Sequence, residues 1–117
     1  MDLFDPTQLA LTAGMHGASM RQQALSDNLA NVDTPGYVRK DVDFQDTLRS
    51  ALATGTDPEN LQFSVQDDAS APVLADGNSV DIDRESAALA ENALEYESLV
   101  QVARSRIDIL QSAMGVG

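Results

Sequence analysis

Cysteine and tryptophan are absent from this 117-residue chain, histidine occurs once, and only 4% of the residues are aromatic. Without cysteine there is no disulfide, no thiolate metal site and no thiol nucleophile. Cations are scarce: 7 Lys+Arg face 19 Asp+Glu, a formal net charge of −12 with a pI near 4.1. That balance argues against sequence-independent nucleic-acid binding and against docking on anionic lipid, both of which need clustered Lys and Arg. No apolar run approaches the roughly 18 residues of a membrane-spanning helix, so membrane insertion is not expected. The N-terminus lacks a basic flank followed by an apolar stretch, and no cleavable signal is expected there. The length suits one small domain with a thin core.

What is present is unevenly spread. Residues 1–40 carry 4 acids and 3 bases (net −1), 41–80 carry 8 acids and 1 base (net −7), and 81–117 carry 7 acids and 3 bases (net −4). The middle third, rich in Thr, Gly, Asp and Ser and holding Pro58 and Pro72, reads as an acidic linker, an irregular and partly disordered loop. The outer thirds, 1–40 and 81–117, read as the two halves of one discontinuous helical domain.

Near the N-terminus a 4-3 spacing picks out Leu11, Met15, Ala18, Gln22, Leu25, Leu29 and Val32, the seam of an amphipathic helix that starts near Thr7 and ends near Asn31. Gly14 and Gly17 interrupt it, each costing about 1 kcal/mol relative to Ala. They mark either local weakness or the close approach of another element. Near the C-terminus the same spacing runs through Ile82, Ser86, Leu89, Ala93, Tyr96, Val100, Ala103, Ile107, Leu110 and Met114, with Asp81 or Asp83 as cap and Glu85 favouring the helix dipole. A second row follows Leu99, Val102, Arg106, Ile109, Ala113 and Val116. The fold expected is all-α: long terminal helices paired as an antiparallel coiled coil, joined by an irregular acidic loop. One seam serves the chain's own helix; the other calls for a neighbour, so assembly is expected.

Catalytic chemistry finds little footing. His16 has no second imidazole and no nucleophile-elbow string to support it, so a packing or surface role is expected. Calcium-loop registers starting at Asp76 or Asp81 fail at positions 6 and 12. The seven glycines are scattered singly, which leaves no phosphate-cradling loop. No enzyme activity, metal or cofactor is expected.

The most informative string is Asn28-Leu29-Ala30-Asn31-Val32-Asp33-Thr34-Pro35-Gly36-Tyr37. Physically it stops a helix and turns the chain, with Pro35-Gly36 suited to the centre of a type II turn and Tyr37 placed to anchor it. At this distance from an N-terminal heptad helix it resembles the signature of the flagellar rod and hook protein family, matched at Asn28, Leu29, Ala30, Asn31, Thr34, Pro35, Gly36 and Tyr37. Two further strings, Lys40-Asp41-Val42-Asp43-Phe44 and Asp76-Gly77-Asn78-Ser79-Val80-Asp81 with Glu91-Asn92-Ala93-Leu94-Glu95-Tyr96, are similar to those of a proximal rod member. The likeness covers 8–48 and 76–114 and leaves out 49–75, where larger members carry an inserted β-rich domain. It implies a structural subunit of the basal-body rod in the periplasmic space, self-associating and contacting other rod proteins, the rod–ring junction protein and the MS ring. It also implies export through the flagellar type III gate without a cleaved signal. Phe44 and Leu48 fit that family's Phe-x-x-x-hydrophobic export motif, and equally fit plain packing residues. Alternatives are another proximal rod paralogue or a cytoplasmic helical export adaptor.

Overall fold

The computed structural model describes residues 5–115; of the residues discussed above, Val116 lies outside that range. Three helices, α1 (Pro6–Ala30), α2 (Phe44–Thr54) and α3 (Ile82–Ala113), are joined through two short strands, β1 (Lys40–Asp41) and β2 (Gln66–Asp67). Helix α1 begins where Pro6 supplies a preset φ and the Asp5 carboxylate accepts from the Gln8 N–H at 2.8 Å. Asp81 caps α3 in the same way, accepting from the N–H groups of Asp83 and Arg84.

Helices α1 and α3 run antiparallel. Going up α1, Gln8 donates to the Ala103 carbonyl, Gly14 sits against Leu99, Ala18 and Gln22 accept from Asn92, and Asn28 donates to Glu85. Each step up α1 is thus matched by a step back along α3. At the far end Arg106 donates to Asp5 at 2.7 Å.

The segment 41–80, expected as an irregular acidic linker, is instead built into the core. Val42, Phe44, Ala51, Phe63 and Val80 are all buried. Phe44 and Phe63 meet edge to face, 6.3 Å between centroids, and Ala18 and Ala24 of α1 join them. Helix α1 is therefore flanked by α3 on one side and by α2 on another. Composition misleads here because the inward apolar residues are few: Phe44, Leu48 and Ala51 follow i, i+4, i+7 spacing, while Leu52, Val65, Val73 and Leu74 of the same segment stay exposed. Strands β1 and β2 pair antiparallel, Lys40 opposite Asp67 and Asp41 opposite Gln66, and hold the excursion's return in place.

The α3 seam also differs from the spacing drawn from sequence. In the first half of the helix the inward positions are Glu85 and Asn92, while Ile82, Ser86, Ala93 and Tyr96 are exposed. One residue is about 100° of helix rotation, so the face is turned by just over a quarter turn from the apolar row. Farther along, Leu99 of the second row and Ala103 and Leu110 of the first turn inward. The physical reason is that two polar side chains find partners on α1: Asn92 donates to the Ala18 carbonyl and to Gln22, and Glu85 accepts from Asn28. An apolar count assigns such positions to solvent.

Candidate assembly site: the signature turn and its polar knot

The signature residues sit where α1 ends and the chain turns back toward α3. Asn31 follows the last helical residue; its amide donates to the Asp27 carbonyl at 2.8 Å and its Oδ1 accepts from the Thr34 hydroxyl. The Tyr37 N–H closes the turn on the Thr34 carbonyl at 3.2 Å, with Pro35 and Gly36 at the centre. Gly36 has φ +74°, the left-handed value that the third residue of a type II turn requires.

Asn28 is fully buried and uses both ends of its amide. Its Oδ1 accepts from the Lys40 N–H at 2.8 Å and from the Tyr37 hydroxyl at 3.3 Å, while its Nδ2 donates to the Lys40 carbonyl and to Glu85. A second buried amide approaches from the other side. Asn78 Nδ2 lies within 2.6–3.1 Å of the carbonyls of Asn31, Val32 and Thr34, and its Oδ1 accepts from the Val80 N–H. Carbonyls that a helix end leaves without partners are thus met by a side chain 44 to 47 residues away. Gly36 donates to the Asp76 carbonyl, and Ser79 donates to that of Tyr37. Gly77, φ +84°, lies back to back with Gly36: a Cβ there would fall 3.3 Å from the Gly36 Cα.

Arg39 locks this junction. Its guanidinium pairs with Glu85, Asp68 and Asp41, and Arg21 pairs with Asp41 at 2.9 Å. Burial alone would lower the Arg39 pKa; the hydrogen bonds it donates to Glu85 and Asp68 outweigh it and hold the charge on the guanidinium more firmly than in water. For Asp41, burial pushes upward but is overcome by hydrogen bonds from Arg21 and the Val42 N–H, so its carboxyl lies below its ordinary value. Asp68 is lowered too, chiefly by the Ser70 hydroxyl and then, against burial, by Arg39. Burial raises the Tyr37 phenol.

The other residues singled out from sequence are dispersed. Leu25 and Leu110 are buried, Leu11, Met15, Leu29, Leu89, Val100 and Ile107 are half-buried, and Tyr96 and Met114 are exposed. Phe44, 2% exposed, packs against Gly17, and Leu48 is half-buried near Gly14. His16 is exposed, its ring 6.3 Å from that of Phe63. Sequence reasoning missed Arg39 and the buried role of Glu85. An arginine two residues past the signature, in a chain with 7 cations, was the available signal. Among the described residues no group of three or more His, Cys, Asp or Glu has metal-binding geometry.

The sequence that builds this helical pair and its turn matches known proteins. Residues 10–37 match the family described as flagella basal body rod protein. The chain is 33% identical to the flagellar basal body rod protein FlgB of Bacillus subtilis (strain 168), over 100% of this chain and 99% of that one. It is 31% identical to FlgB of Escherichia coli (strain K12), covering 80% and 85%, and 33% identical to FlgB of Aeromonas hydrophila, covering 82% and 83%. The chain belongs to the FlgB family of flagellar basal body rod proteins. It is a structural subunit of the rod, not an enzyme, and its place is the flagellar basal body.

Proposed function

We propose that the chain builds the proximal part of the rod by packing the outward faces of its terminal helices against neighbouring subunits. Its partners are then further copies, other rod proteins, the rod–ring junction protein (FliE) and the MS ring, reached in the periplasm after export without a cleaved signal. The observation that carries this reading is the long helix α3 with Ile82, Leu94, Tyr96, Val102, Ile109 and Met114 all exposed on a body only 14 Å thick along its shortest axis. Apolar surface of that extent is covered in the working state. The signature turn serves the assembly by fixing how α3 leaves α1. Deleting the gene is expected to leave basal bodies without a rod and cells non-motile; normal rods in the deletion strain would refute the reading.

The export step involves Phe44 and Leu48, which are packed on α1 in the folded chain. An export gate that reads them meets a chain with α2 undocked. Phe44→Leu keeps an apolar side chain at that site, and its expected effect is loss of secretion with the helical content retained. Undiminished secretion would leave Phe44 with packing alone.

A further inference from the structure

We infer that residues 44–65 form a flap that opens and melts as one unit while the α1–α3 pair and the junction at Arg39 stay closed; its use, to offer Phe44 and Leu48 to an external reader, rests on the export reading above. The two ends of this segment are tied down by directional bonds. Strand β1 pairs with β2, the Asp68 N–H donates to the Arg39 carbonyl at 2.9 Å, and the Lys40 N–H and carbonyl are both held by the Asn28 amide. Arg39 and Arg21 add ion pairs to Asp68 and Asp41. Between those ends the bonding changes character. Among the described residues, the hydrogen bonds of 44–65 stay between positions 43 and 66, save one exposed pair from Gln45 to Glu95.

What seats the flap is chiefly apolar contact. Phe44, Ala51, Pro58 and Phe63 are buried, and α2 and the short turn Pro58–Asn60 pack on α1 and on each other. Helix α2 has 11 residues, fewer than the roughly 12–15 at which an isolated helix becomes marginal in water, and Asp43 makes no side-chain cap bond at its start. Lifted from α1 it therefore loses its helix, and Phe44 and Leu48 pass from packed side chains to extended chain. The bonds that align α1 with α3 do not involve the flap: Gln8 to Ala103, Asn92 to Ala18 and Gln22, Asn28 to Glu85, and Arg106 to Asp5. A segment with anchored ends and few ties outside itself opens at a lower free energy than the whole molecule.

Because the chain has no cysteine, single cysteines report opening directly. Ala51→Cys probes the flap, Val80→Cys the junction and Ala103→Cys the helix pair; the parent side chains there are all buried. Each full-length variant is reacted with a water-soluble maleimide, and its rate is divided by that of the same chain unfolded in urea. The Ala51→Cys thiol is expected to react at least about tenfold faster than the other two. Its rate is expected to stay nearly level in low urea while theirs climb, because opening the flap exposes little surface. Leu110→Ala, which loosens buried packing of α3 outside the flap, is expected to speed the Ala103→Cys thiol at least about tenfold and leave the Ala51→Cys rate unchanged. Equal rates with equal urea slopes, or a Leu110→Ala change that speeds both thiols alike, would overturn the flap, because the chain would then open only as a whole. The urea slopes decide the matter where Leu110→Ala fails to fold. Undiminished secretion of Phe44→Leu would instead refute the export reading, and with it the use of the flap but not its opening.

Discussion

Two glycines three residues apart on α1 do different jobs. A Cβ built on Gly17 would lie 2.4 Å from the Cβ of Phe44 and 2.8 Å from its Cγ, far inside contact distance, whereas one on Gly14 would meet Leu99 Cδ1 at 3.4 Å. Close approach is therefore the reason for Gly17, and the approaching element is the start of α2. Alanine favours a helix interior over glycine by about 1 kcal/mol. Gly14→Ala is expected to keep that gain or come out neutral. Gly17→Ala is expected to lose about 1–3 kcal/mol, since overpacking forces Phe44 from its seat. Paired denaturant titrations check this, and equal midpoints for the two variants would contradict the packing seen here. The same scale explains why the signature holds two asparagines. Buried Asn28 both donates and accepts across the junction, which leucine of like size cannot do, and Asn31 ties the turn from the side chain of its first residue.

At the scale of elements, the polar residues inside the α1–α3 contact are the unusual feature. Asn92 is fully buried, and among the described residues its Oδ1 has no hydrogen-bond partner although its Nδ2 has two. An unmet buried carbonyl oxygen costs about 1–3 kcal/mol, which the two donated bonds offset only in part. A polar residue inside a helix pair fixes how the helices align at the expense of stability. Asn92→Leu is accordingly expected to stabilise the fold by about 1 kcal/mol, near 4 °C in the thermal midpoint for a domain of this size. A fall in that midpoint would show that the bonds to Ala18 and Gln22 outweigh the orphaned oxygen. This also marks how far the sequence could be read. The α1 helix, its ends and the Pro35-Gly36 turn follow from local chemistry, because caps and turn glycines act on near neighbours. Rotation of α3 depends on Asn92 and Glu85 meeting partners 57 to 74 residues away, and no periodicity carries that. Helix α2 was hidden for a related reason: three inward residues are outnumbered by the acids around them. Asn78 stood in a string noted for its likeness to relatives, yet its three carbonyl partners are set by tertiary folding alone.

At the scale of the molecule, the body measures 62 × 29 × 14 Å, so few residues lie far from solvent, and the ionic knot ties Arg21 of α1 to Glu85 of α3 through Asp41 and Arg39. Its response to acid has a definite sign. Asp41 and Asp68 have folded-state pKa values below their ordinary value, so the folded chain releases those protons more readily than the unfolded one. Their stabilising contribution is therefore complete above the ordinary carboxylate pKa of about 3.9 and is lost as pH falls through the lower, folded values. A second effect runs the other way. Between pH 7 and the pI near 4.1 the net charge of −12 is progressively neutralised, which lessens self-repulsion. The two effects occupy different windows. Urea midpoints are expected to hold or rise slightly from pH 7 to 5, then fall steeply below about pH 4 as Asp41 and Asp68 take up protons. Asp68→Asn removes one of the two in advance. That variant is expected to be weaker at pH 7 and to show a shallower fall below pH 4, because one fewer depressed carboxyl remains to titrate. Parallel acid limbs for the parent and the variant would place the acid sensitivity outside the knot.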